Sequence, residues 1–180
     1  MLKKLILSIS LVAFFLFTFP YFYFHTYSQQ IQPTTKNVVY DLPYPGLLPD
    51  NPLYFLKATR DKILDFVTRD NLKKAQLYLT FSDKRVAMSP LLFKKGKDNL
   101  AVSTISKAEK YALKISPLLK QAKEQGGAVS PDFISKLKLS NEKHKEVIED
   151  LYKNFPQGEQ QSLQDVLELN QEVHQALGSL

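Results

Sequence analysis

The sequence predicts an all-α protein in which an N-terminal transmembrane helix leads through a proline-rich arm into an antiparallel bundle of about five helices. Three observations point to this class. After residue 52, apolar residues recur at intervals of three and four, the period of one helix face. Turn and capping residues interrupt those stripes at Ser89-Pro90, Gly126-Gly127, Ser130-Pro131 and Pro156-Gln157-Gly158. Leu5 to Phe24, LILSISLVAFFLFTFPYFYF, contains no charged residue. The 180 residues suffice for one folded domain. They divide into an anchor or uncleaved signal (1–27), a linker and proline-rich arm (28–51) and an extracytoplasmic helical domain (52–180).

Twenty helical residues rise about 30 Å, the depth of a bilayer's hydrocarbon core, so Leu5–Phe24 is long enough to cross one. Lys3 and Lys4 before it favour a cytoplasmic N-terminus, with everything after Phe24 outside. Tyr21, Phe22, Tyr23 and Tyr27 suit the outer interface. A cleavable signal peptide is the competing reading, and it would leave a secreted protein. Against it, the apolar run is longer than a usual signal core, and the nearest small-residue pattern is Thr26-Tyr27-Ser28. An uncleaved single-pass anchor is therefore expected.

His25 to Tyr40 is polar and without period, as a juxtamembrane linker would be. The arm follows as DLPYPGLLPDNPLYFLK, Asp41–Lys57. Tyr44-Pro45-Gly46 fits a turn whose glycine takes positive φ. Pro49 and Pro52 push Leu48 and Asn51 out of the helical region, so Asn51 is expected to cap a helix with Pro52 as its first residue. The arm should lay Leu42, Tyr44, Leu47 and Leu48 on the bundle.

Five helices are expected from here. The first, about Pro52–Thr68, has Leu53, Leu56, Ile63, Leu64 and Val67 near one side, with Asp61 and Asp65 among its exposed positions. The second starts at the cap Asp70, packs through Leu72, Ala75, Leu79, Ser82 and Val86, and ends near Ser89-Pro90. The third, about Leu92–Glu124, carries Ala101, Ile105, Ala108, Ala112, Ile115 and Leu119, with a kink expected at Pro117. The fourth follows the Ser130-Pro131 start with Phe133, Leu137, His144, Val147, Ile148, Leu151 and Phe155. The last has Leu163, Val166, Asn170, Val173, Leu177 and Leu180.

Charge is uneven along the chain. Residues 51–120 hold 15 Lys and Arg against 6 Asp and Glu, whereas residues 121–180 hold 6 against 10. Lateral neutralisation inside the bundle accounts for this. The functional alternative assigns Lys73, Lys74, Lys84, Arg85, Lys94, Lys95 and Lys97 to contacts with an anionic surface, either lipid headgroups or wall polymer. Nucleic acid is not expected, because the topology removes the domain from the cytoplasm and no aromatic platform accompanies the lysines.

The chain has no cysteine, which excludes disulfides, thiolate metal sites and a cysteine nucleophile. HExxH, GxSxG and Walker spacing are absent; KKGK at Lys94–Lys97 does not supply the last. His144 and His174 lack metal-ligand spacing, and His144 reads as a bundle histidine. Glu146, Glu149 and Asp150 are expected on a solvated acidic face. No catalysis and no cofactor are expected.

The segments LPYPGLLPDNPLYFLKATRDKI, DNLKKAQLYLTFSDKRV, KGKDNLA and SKAEKY together resemble the bacterial family of domain of unknown function 5667. That family has an LPYPG-x-LPD-x-P-LY-x-LK opening, a lysine-rich KKA helix and an ADKR-like segment; Ser82 stands here in place of its alanine. The resemblance covers about Leu42–Tyr111 and implies an exported or membrane-attached protein without implying a reaction. The expected role is an envelope-associated interaction or structural module at the plasma membrane. Its expected partners are the bilayer through Leu5–Phe24 and another envelope protein or anionic wall polymer. The alternative is a stress-sensing or chaperone-like helical domain.

Overall fold

The structure, a computed structural model, describes residues 38–156 and 160–180. The chain divides into two units, residues 1–32 and 33–180, and all described residues belong to the second. The expected span at Leu5–Phe24 lies outside the described residues. Among those described, no helix is long and apolar enough to cross a membrane.

The described residues form six helices and no strand: α1 (Tyr54–Val67), α2 (Asn71–Lys94), α3 (Asp98–Ala112), α4 (Ile115–Glu124), α5 (Pro131–Asn154) and α6 (Gln160–Gly178). The sixth arises because the expected third helix breaks at Leu113–Lys114 rather than bending at Pro117. Pro117 has no N–H for the Leu113 carbonyl, and its ring crowds that same carbonyl, so the interruption falls four residues upstream. Pro117 then lies in the first turn of α4, where a missing donor costs little.

Pro90 behaves differently. The predicted stop at Ser89-Pro90 does not occur, and α2 runs on to Lys94. Leu92 is fully buried and Phe93 stacks on Phe155 with ring centroids 4.7 Å apart, so tertiary packing holds the last turn despite one lost backbone bond. Lys95-Gly96-Lys97, with Gly96 at φ +65°, then turns the chain into α3.

The expected caps at Asp70 and Ser130 are both present. The Lys73 N–H donates to Asp70 Oδ1 at 2.8 Å, and the Phe133 N–H donates to Ser130 Oγ at 3.2 Å. The first helix starts two residues later than expected, at Tyr54. Asn51 still acts as a cap in form, accepting the Leu53 N–H on Oδ1 at 2.8 Å in the turn that leads in.

Four rods make the bundle: α2, the broken α3–α4, α5 and α6. Cross-contacts fix their directions. Phe81 meets Tyr111 in one part of the core, while Leu92 and Ala101, on either side of the Lys95–Lys97 turn, share the other, so α2 and α3 are antiparallel. Asn141 bonds Asn170 while Gln160 reaches Tyr152 and Phe155, so α5 and α6 are antiparallel too. Ser116 bonds the Ala176 carbonyl and Lys123 the Leu180 carbonyl, which sets α4 alongside α6 in the same direction. The result is an up-and-down bundle.

Its apolar interior comes in two parts. One holds Val86, Met88, Leu92, Ala101, Ile105, Val147, Ile148, Leu151, Leu163 and Val166; the other holds Ala75, Leu79, Ala112, Ile115, Leu119, Leu137, Val173 and Leu177. The stripes read from the sequence for these rods are those that face inward. The arm lies on the first part through Leu42 and Leu48, as expected, while Tyr44 remains 45% exposed.

The first helix overturns its reading. Leu53, Leu56, Ile63 and Val67 face outward, together with Phe55 and Phe66, and Leu64 is 37% exposed, whereas Asp61, expected at the surface, is 4% exposed. The side of α2 that receives α1 offers Arg85, Lys74 and the Tyr78 hydroxyl. Only the polar side of α1 can satisfy those groups, so the helix is mounted by charge with its apolar side turned away.

Candidate functional site

Each rod contributes polar residues at one level, between the two apolar parts: Asp83 from α2, Glu109 from α3, Ser140, Asn141 and His144 from α5, and Asn170 from α6. None is more than 4% exposed. The centre is His144. Its Nδ1 lies 2.8 Å from Glu109 Oε1 and its Nε2 2.9 Å from Asp83 Oδ1.

Carboxylate oxygens accept hydrogen bonds, so the ring between them satisfies both sides as an imidazolium donating from each nitrogen. Burial alone lowers the His144 pKa. The Glu109 charge, hydrogen bonds to Asp83 and Glu109, and the Asp83 charge outweigh it and push the value up to about 10. At neutral pH these contacts hold His144 in its cationic form.

The remaining valences of the layer are also filled. Ser140 Oγ donates to Asp83 Oδ1 at 2.6 Å, and Asn170 Nδ2 donates to Glu109 Oε2 at 3.1 Å. Asn141 and Asn170 each donate a side-chain N–H to the other's backbone carbonyl at 3.2 Å. The arm closes the last position: the Tyr40 hydroxyl donates to Asp83 Oδ2 at 2.6 Å. Burial and the adjacent Asp83 carboxylate raise the Tyr40 pKa well above the usual phenol range, so it remains a donor. Nearby, the Val38 N–H and Lys143 Nζ both donate to Glu146, which fastens the start of the described chain to α5.

A second polar assembly fastens α1. Asp61 receives Arg60 at 2.7 Å and faces Arg85 Nη2 at 3.7 Å. Arg85 also donates to the Phe81 carbonyl and lies over the Tyr111 ring at 4.6 Å. Asp65 accepts the Tyr78 hydroxyl at 2.7 Å and pairs with Lys74 at 3.2 Å. Lys57 Nζ donates to the Pro45 carbonyl at 2.6 Å, closing the Pro45-Gly46 turn, where Gly46 has φ +71°. Burial brings the Lys57 pKa down to about 8.

Residues 46–177 match the family described as domain of unknown function (DUF5667). The chain belongs to the DUF5667 family. The match starts just after the LPYP residues and continues through both final helices, further than the resemblance read from the sequence. No curated protein and no solved structure matches the chain.

In this DUF5667 chain the opening and the FSDKRV segment work as one unit. Lys57 holds the turn, Asp83 holds the histidine and the arm, and Arg85 holds α1. The seven basic residues assigned to an anionic surface do not form one patch. Arg85 is buried and internally paired, which removes it from that set. Lys84 is half-buried, with its pKa lowered chiefly by burial. Lys74 serves Asp65, and Lys95 pairs with Asp50 at 2.9 Å. Lys73 is exposed near the start of α2, with Lys94 and Lys97 exposed around its end, about 30 Å away at 1.5 Å per residue.

His144 is the bundle histidine expected, and His174 is exposed. Glu149 pairs with the exposed Lys145 and does not approach His144. A shallow groove between α3 and α6 is lined by Asn99, Ser103, Ser106, Lys110, Ser162 and Asp165 among others. Sequence reasoning missed Asp83, Glu109 and Tyr40. The signal for the first two was present: each lies in line with an apolar stripe, Asp83 between Leu79 and Val86 and Glu109 between Ile105 and Ala112. Nothing local marks Tyr40.

Proposed function

We propose that this DUF5667 chain is a non-catalytic helical interaction module, held at the outer face of a bacterial plasma membrane by an uncleaved Leu5–Phe24 anchor. The observation that carries the reading is how the molecule distributes its functional groups. Its buried charges are matched against one another, leaving a structural centre, while the large apolar side chains of α1 are turned outward. Contiguous exposed apolar surface of this kind marks a contact site. The anchor and its orientation are supported by the uncharged apolar run and by Lys3 and Lys4.

A reporter fused after Thr35 should be active only outside the cytoplasm, and the full chain should stay in the membrane fraction after alkaline extraction. Cytoplasmic activity, or release of the intact chain by alkali, would overturn the reading. The outward apolar residues of α1 also favour a second reading, a chaperone-like domain holding unfolded clients. That reading requires the full chain to suppress aggregation of a model client at substoichiometric ratios.

A further inference from the structure

The outward side of α1 has two properties that together specify what covers it. Phe55, Leu56, Ile63, Phe66 and Val67 are between 56% and 70% exposed. At 100° per residue they fall within an arc of about 120° centred opposite Asp61, which also contains Thr59, and Lys62 and Arg60 stand just beyond its two edges. Apolar side chains recur along this face over more than three turns, with Thr59 between Leu56 and Ile63.

Its rim is cationic. Two carboxylates of this region are engaged internally, Asp61 by Arg60 and Arg85 and Asp65 by Tyr78 and Lys74, while Asp70 is exposed and caps α2 through the Lys73 N–H. Lys62, Arg69 and Lys73 point outward, and the Arg69 guanidinium lies 4.9 Å over the Phe66 ring. An apolar surface bordered by outward cations matches a bilayer interface bearing anionic headgroups. There the side chains enter the acyl boundary and the cations meet phosphates. A second copy is a poorer occupant, because stacking two such faces about a two-fold axis would crowd like charges.

The chain outside the structure supplies the remaining argument. Thirteen residues, 25–37, separate the apolar run from Val38, a reach of about 45 Å when extended. A domain tethered on that length meets the bilayer at high effective concentration, so even a weakly lipid-seeking face would stay engaged.

We propose that α1 lies in the interface of an anionic bilayer, apolar side inward, and so sets the domain's orientation on the membrane. The inference rests on the membrane-anchored reading above, and its test separates the two. The chain has no native cysteine, so single labels are straightforward. Full-length Phe66→Cys, Ile63→Cys and, as a control on the exposed side of α6, Gln171→Cys would carry an environment-sensitive fluorophore. Each would be reconstituted in phosphatidylcholine vesicles with and without about a third phosphatidylglycerol, containing brominated acyl chains as quencher.

Expected is quenching at positions 63 and 66 about threefold above that at 171 in the anionic vesicles, reduced by salt and by removing phosphatidylglycerol. Equal quenching at all three sites overturns the proposal, even if alkaline extraction shows the chain anchored. Copy-to-copy crosslinking through position 66 in place of quenching assigns the face to a dimer, and also overturns it. Quenching at 63 and 66 in a chain that alkali releases supports lipid docking and removes the anchor.

Discussion

Replacing His144 with leucine tests whether the polar layer is the structural keystone of the bundle. The substitution keeps approximate volume but removes the cation between Asp83 and Glu109, which lie on its two ring nitrogens at 2.9 and 2.8 Å. Breaking a buried pair by deleting one partner costs about 3–5 kcal/mol. The Glu109 and Asp83 carboxylates outweigh burial and hold the His144 pKa well above its ordinary value, so losing the cation acts in the same direction. Domains of this size hold about 5–15 kcal/mol in total. At about 3–5 °C per kcal/mol, the melting temperature of His144→Leu should fall by about 10–20 °C.

The pH dependence provides a second readout. Because the folded pKa lies above the unfolded one, the His144 contribution is complete below pH 6.5 and disappears as pH rises toward 10. Lys57, brought down to about 8, and Lys84, also lowered, have the opposite sign, adding stability as pH rises through their folded values. The diagnostic quantity is therefore the difference in urea midpoint between wild type and variant, followed by far-UV circular dichroism of the full chain in mild detergent. That difference should be largest at about pH 6.5, already declining at neutrality, and shrink further toward pH 10. Adding Asp83→Asn and Glu109→Gln to His144→Leu should recover part of the loss. A variant that melts within about 3 °C of wild type, with a pH-independent gap, would refute the reasoning.

Three further outcomes follow from the same structure. Asp61→Ala leaves Arg85 buried without its carboxylate and should destabilise by about 3 kcal/mol, with hydrogen exchange rising first in α1. Tyr40→Phe removes a hydrogen bond to an ionised group, costs about 1.5–3 kcal/mol in thermal or urea melts, and should loosen residues 38–51 in hydrogen exchange more than any helix. Ile63→Ser in α1 should change stability by less than about 0.5 kcal/mol, whereas Leu119→Ala, at a fully buried site, should cost about 2–5 kcal/mol.

The bundle was legible from the sequence because its rods obey one rule throughout. Stripes such as Leu72–Val86, Ala101–Leu119 and Leu163–Leu177 face the interior because four rods must bury four apolar faces. The turn at Pro45-Gly46 and the caps at Asp70 and Ser130 were legible for a local reason, since each depends only on neighbouring backbone groups. The continuation of α2 past Pro90 depended on Phe155, more than sixty residues away, and no local signal carries that. The partners of His144 come from α2 and α3, so the histidine could be placed in the core while its counter-charges could not. α1 failed because apolar periodicity reports which residues share a face and not where that face points. The information that decides its orientation sits in Arg85, Lys74 and Tyr78, on another helix.

The inverted mounting of α1 also bears on what the helix is for. Rotating it by half a turn would bury five large apolar side chains that are now more than half exposed, a gain of about 1 kcal/mol each. The same rotation would strand Arg85 without Asp61, at about 3–5 kcal/mol, and would break the Lys57 contact that closes the arm's turn. The two totals are of the same order, so in water neither orientation dominates by a wide margin. An apolar phase against the outer face changes that comparison. The exposed side chains then gain their transfer free energy without rotation, and the charged side keeps its partners. A helix fastened by ion pairs behind and left apolar in front is therefore most stable in the observed orientation when something apolar covers it, which is the condition a tethered domain meets at a bilayer surface.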